Sequence, residues 1–273
     1  MPAYKRNSHF KELYIRKIAG SAIVADLAVV LGGAWNLTEL ELLIDGNPYG
    51  DNTGKYQHIS DGRLPYDISC IRIQARLLKI LEYDHDVLKW KLMPLWRLLY
   101  RVSPSFIHIQ TALVSIQSEI KNYIWKNPLE EVDINNPFSM QPITLENIEA
   151  IATFNNFEAL LTLTAWARAT QNARKYEMHY HCAKLIRKIF AHVVCNTPQL
   201  FIRWPILLQY YIEPIWFVDE LSARQLLNIN QLESEIYQEE CKAREIGIQL
   251  PSKYFFNQIN KKDIYLLRDT FKH

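Results

Sequence analysis

The sequence predicts an all-α, multi-helix globular protein, and three observations carry that prediction. Glycine is missing from the centre: of eight glycines in 273 residues, none lies between positions 63 and 246. Hairpins draw on positive-φ positions that glycine fills at least cost, so this stretch is a poor source of β-hairpins. Prolines stand instead where helices begin. Ser103-Pro104 and Thr197-Pro198 each place an N-cap residue before proline at the first helical position. Apolar residues recur at helical spacing, as at Ile109, Leu113, Ile116, Ile120 and Tyr123.

Taken in order, Ser8 is expected to cap a first helix that runs to about Leu31 and stops at Gly32-Gly33. Asn36 with Glu39 has capping-box-like spacing and predicts a short helix over 37–44. The alternation of Leu40, Leu42 and Ile44 also allows a strand there, in a small β element near residues 37–60. Residues 45–65 hold four of the eight glycines and read as a long loop. Helices are expected at 67–83, at 87–100 with a kink at Pro94, and at 104–125. A proline-bearing linker follows at 127–143, and Thr144 opens a short helix to Phe154. Helices at 157–171 and 174–195 come next, then short proline-bounded pieces over 198–219. A helix from 231 ends before Gly247, and a last one covers 263–271. The 127–143 linker suggests an N-terminal helical part (1–127) and a C-terminal one (128–273), with a single domain as the alternative.

Composition excludes several classes. Hydrophobic residues are 49% and charged residues 22%, which excludes a disordered or collagen-like chain. Charges nearly balance, with 31 Lys+Arg against 29 Asp+Glu. Four dispersed cysteines without CxxC spacing do not make a disulfide scaffold, so a reducing, cytoplasmic setting is expected. No signal peptide is apparent. The apolar stretch 18–35 contains Asp26 and three glycines, which disfavours a membrane span. Glycine-rich phosphate loops, HExxH, GxSxG and EF-hand patterns are absent.

Four local patterns remain. Asp84-His85-Asp86 ends the 67–83 helix, and His58 lies upstream. An upstream His followed by a His-Asp pair resembles HD-type metal phosphohydrolases, which are all-α. That resemblance implies a metal-dependent hydrolase with His58, His85 and Asp86 as metal-binding and catalytic residues. His192 and Cys195, at i,i+3 on one helix, form a second candidate metal pair that needs partners from elsewhere. Residues 168–192 carry Arg168, Arg174, Lys175, Lys184, Arg187 and Lys188 against only Glu177. Of these, Arg174, Lys184, Arg187 and Lys188 are candidate contacts for phosphates or an acidic partner. Tyr210, Tyr211 and Trp216, in a proline-broken aromatic stretch, are candidates for an interface hot spot.

The expected function is therefore a non-enzymatic helical binding or regulatory protein, of adaptor, inhibitor or toxin-neutralising type. It would act through a protein–protein surface, need no cofactor and have a protein as its partner. Two alternatives stand beside it. One is the metal-dependent hydrolase built on His85 and Asp86. The other is a nucleic-acid-associated protein using the basic 168–192 face, which the net charge of +2 disfavours.

Overall fold

The computed structural model describes residues 3–46, 55–62, 79–83, 89–92, 94–100, 108–109, 112, 119–123, 144–216 and 229–260. Among these residues the fold is all-α, with no strand or sheet. The chain forms two compact units interleaved in sequence. One comprises Met1–Ser8, Met93–Asn196 and Leu208–Glu239; the other comprises His9–Leu92, Thr197–Leu207 and Glu240–His273. The sequence-based boundary at 127/128 falls within the 93–196 stretch of the first unit.

The second unit is built on α1 (Ala3–Val30). Ser8 lies inside this helix rather than capping it, because the helical run already begins at Ala3. From Ile18 to Ala28 every residue is buried. Gly32 and Gly33, at φ 77° and 89°, end the helix as expected, and their N–H groups donate to the Val29 and Ala28 carbonyls.

A strand at 37–44 does not form: α2 (Leu37–Asp45) is a helix. Asn36 Oδ1 accepts from the Thr38 N–H at 2.9 Å, and Gly46 closes the far end in the left-handed region. Leu37, Leu40, Glu41 and Ile44 are buried while Leu42 and Leu43 are exposed, so the helical stripe prevails over the alternation. Within the expected 45–65 loop, residues 55–60 are also helical, as α3 (Lys55–Ser60). The expected β element is thus replaced by two helices over its described residues.

Two short helices follow, α4 (Lys89–Leu92) in the second unit and α5 (Pro94–Tyr100) in the first, and Pro94 in the first turn of α5 is a position where its missing N–H is tolerated. The first unit is centred on α7 (Phe157–Asn172), in which every residue from Ala159 to Thr170 is buried. It packs against α5, α6 (Leu145–Thr153), α8 (Tyr176–Asn196) and α11 (Glu213–Trp216). Thr144 caps α6 as expected, its Oγ1 accepting from the Asn147 N–H at 3.2 Å. The second unit continues with α9 (Pro198–Phe201) and α10 (Trp204–Leu207).

Residues 208–212 of the first unit form a π-helical turn just before α11, with Pro214 unable to donate a backbone hydrogen bond. Buried basic side chains meet the carbonyls of this irregular stretch. Arg168 donates to the Tyr211 carbonyl at 3.1 Å and also to the Leu99 carbonyl. The two ring nitrogens of His179 lie 2.7 Å and 2.9 Å from the Ala167 and Ile215 carbonyl oxygens. Burial brings the Arg168 guanidinium down to about 10.

Further along, α12 (Ile229–Glu245) ends at Gly247, whose φ of 88° is the left-handed cap expected there. A helix not anticipated, α13 (Lys253–Asn260), follows Ser252, whose hydroxyl accepts from the Phe255 N–H at 3.2 Å. The helix expected over 263–271 and the 127–143 linker lie outside the described residues.

Candidate functional site: a groove over helix α8

In the first unit, α6, α8 and the Ile229–Glu239 part of α12 enclose a groove of about 740 Å³. Ala152, Leu185, Ile189 and Ala191 give it an apolar floor; Glu149, Lys188, His192, Glu235, Gln238 and Glu239 give it a polar rim. The local sequence explains this division. On α8, Cys182, Ile186, Phe190, Val193 and Val194 are buried. The opposite face carries His181, Lys184, Lys188 and His192 at i, i+3 and i+4 steps, and this face lies open to its neighbours.

Basic groups of α8 meet carboxylates of the flanking helices. His181 Nε2 lies 3.1 Å from Glu149 Oε1 of α6, an ion-pair distance without hydrogen-bond alignment. Arg187 donates to Glu235 of α12, and that hydrogen bond holds the Glu235 carboxyl below the ordinary range. His192 Nδ1 lies 3.0 Å from Glu239 Oε2, while the Asn196 amide donates to the His192 carbonyl at 2.8 Å. A hydrogen on Nδ1 lets the imidazole donate to Glu239.

Lys188 differs. It is exposed, lines the groove, and has no hydrogen-bonding or ion-pair partner among the described residues. Asn155, in the turn after α6 at φ 49°, also lines the groove, and no described residue donates a hydrogen bond to its buried Oδ1. Such an acceptor costs stability unless something donates to it.

The structure thus brings together Lys188 and His192 of the predicted residues, with Arg187 beside them as the clasp to α12. Lys184 is exposed one turn before Lys188, and Arg174 is exposed in the turn before α8 at φ 57°. Arg168, counted in the basic face, is instead a core residue, 8% exposed.

The candidate metal pair on α8 does not converge. Cys195 is fully buried and its thiol donates to the Ile236 carbonyl at 3.4 Å, while His192 turns to Glu239. Among the described residues no group of three or more His, Cys, Asp or Glu side chains is placed to hold a metal ion. His58 lies in α3; its side chain, and all of His85 and Asp86, fall outside the described residues.

The aromatic candidates are placed differently from the sequence expectation. Tyr211 and Trp216 are 0% and 2% exposed, and Trp216 Nε1 donates to the Ala183 carbonyl at 3.1 Å. They are core residues of the first unit and present no surface to a partner; Tyr210 is half-buried. Sequence reasoning did not find Glu149, Glu235, Glu239 or Asn155. Each is an ordinary helix or turn residue until the fold sets it against α8. No described helix is long and apolar enough to cross a membrane. No family model, curated protein or solved structure matches the chain.

Proposed function

We propose that the chain is a non-enzymatic binding protein that recognises a segment of another protein in the groove over α8. One observation carries this reading: an open groove of about 740 Å³ with an apolar floor and a polar rim, within the size range of ligand sites. Grooves between helices accept amphipathic segments by burying their apolar side chains against the floor. Such a mode of binding suits an adaptor, an inhibitor or a toxin-neutralising protein. The thiols of Cys182 and Cys195 are buried in the core as small apolar groups, which suits a cytoplasmic setting. The nucleic-acid reading is the less favoured one, because Arg168 is buried and Arg187 is engaged with Glu235, which thins the basic face.

Panning a displayed random-peptide library against the purified protein tests the proposal. An enriched peptide family is expected whose binding falls at least tenfold in Thr153→Trp and Gln238→Trp, which fill the groove from exposed rim positions and leave the helical circular-dichroism spectrum intact. Failure to enrich any peptide, or binding indifferent to both substitutions, would overturn it.

A further inference from the structure

We infer that His179 is a buried imidazolium that latches α11 onto α7 and α8, so that the hold on residues 208–216 loosens as pH rises. His179 is 5% exposed, and its Nδ1 and Nε2 lie 2.7 Å and 2.9 Å from the carbonyl oxygens of Ala167 in α7 and Ile215 in α11. A carbonyl oxygen only accepts, so both ring nitrogens donate, and that requires a hydrogen on each. A neutral ring would turn a lone pair toward one of these oxygens and leave that carbonyl without its donor. Two charge-assisted hydrogen bonds offset the cost of burying the cation.

The consequence of losing that proton falls on α11. The Ala167 carbonyl also accepts from Thr170 Oγ1 at 3.0 Å, whereas no other described side chain donates to the Ile215 carbonyl. In the tautomer that keeps its hydrogen on Nε2, the Nδ1 lone pair faces the Ala167 oxygen at 2.7 Å and pushes the ring away. Among the charged groups of the packed elements, Arg168 of α7 donates to the Leu99 and Tyr211 carbonyls, Glu158 stands in the first turn of α7, and Glu213 of α11 is half-buried. On α8, Lys175 and Glu177 are exposed and His181 faces Glu149. Among the described residues no carboxylate bonds the His179 ring, so its charge rests on backbone carbonyl dipoles. The stabilisation is present while the ring holds both hydrogens and is lost as pH rises and one leaves.

Nitrogen-15 NMR of the histidine rings in the intact, labelled chain tests the charge, and backbone amide exchange tests the latch. At pH 7 both His179 ring nitrogens are expected to carry hydrogen. Between pH 7 and 8.5, as one hydrogen is lost, exchange at residues 208–216 should speed up about tenfold after correction for the intrinsic rate, the size of one charge-assisted hydrogen bond. The α7 amides should change far less. Arg168, at about 10, and Cys182, at about 12, stay protonated over that range. Burial raises the Glu213 carboxyl, so Glu213→Gln serves as the control and should keep the wild-type profile. His179→Leu, which removes both donors, should exchange fast at both pH values; the wild-type spectra decide the matter even if that variant does not fold. A single ring hydrogen at pH 7 would overturn the inference. So would a ring that loses its second hydrogen with exchange at 208–216 unchanged, a ring still doubly protonated at pH 8.5, or a profile that disappears in Glu213→Gln.

Discussion

Replacing Gly20 by alanine separates local propensity from packing, because the two predict opposite signs. On propensity alone the change stabilises: alanine in a helix interior is favoured over glycine by about 1 kcal/mol. The structure places the missing Cβ 1.9 Å from the Ile59 carbonyl oxygen of α3 and 3.4 Å from the Gly62 nitrogen. The approach is reciprocal, since a Cβ on Gly62 would lie 2.7 Å from the Arg16 carbonyl carbon of α1. Accommodating the added methyl group needs α1 and the end of α3 to part by roughly 1.5–2 Å, the difference between that approach and ordinary contact. The displacement also pulls on the neighbouring Ser60 carbonyl, which accepts from Ser21 Oγ at 3.0 Å and from buried Arg203 at 3.2 Å. Overpacking costs about 1–3 kcal/mol, and weakening two buried hydrogen bonds adds about 1 kcal/mol each. The net expectation is a loss of about 2–4 kcal/mol despite the better helix former. Urea unfolding followed by circular dichroism measures it, with Gly46→Ala as a control. Gly46 has φ 71° and nothing within 4 Å of its missing Cβ, so only backbone strain is introduced there. A Gly20→Ala protein as stable as the wild type would refute the close approach of α1 and α3.

Three further outcomes follow from individual side chains. Trp216→Ala is expected to cost about 3–5 kcal/mol and lower the melting temperature, because it empties a core position and removes the bond to the Ala183 carbonyl; an unchanged melt would place the indole outside the core. Glu235 has a depressed folded pKa, so its contribution is present above the ordinary glutamate value of about 4.3 and is lost as pH falls through the folded value. The stability gap between wild type and Glu235→Gln should therefore be open at pH 7 and close in acid, and a gap independent of pH would contradict the Arg187 bond. Burial pushes the Cys182 thiol up to about 12, so a thiol reagent followed by peptide mass mapping should modify half-buried Cys241 well before Cys182 in the native protein, whereas equal rates would show that α8 opens.

The helix ends were the most legible part of the sequence, since caps are local chemistry. Gly32-Gly33, Thr144 and Gly247 each act at the place their residue type indicates. The Leu40, Leu42 and Ile44 alternation misled because three positions satisfy a two-residue period by chance, while Asn36 and Gly46 fix a helix from both ends. The aromatic stretch misled for another reason. Its proline breaks and aromatic density fit an interface hot spot, yet Arg168 and His179 satisfy the Tyr211 and Ile215 carbonyls and let Tyr211 and Trp216 enter the core. Half of the groove was visible as the basic residues of α8. The other half was not, because Glu149, Glu235 and Glu239 lie 32 to 48 positions from their partners and only the packing of α6 and α12 brings them there.

Backbone amide hydrogen exchange, with and without a peptide enriched by the display experiment, tests the groove most directly. Recognition over α8 predicts slowed exchange confined to the end of α6, residues 185–192 of α8 and residues 235–239 of α12, with the effect abolished in Thr153→Trp. Protection concentrated elsewhere in the chain, or persisting in the filled-groove variant, would contradict the account.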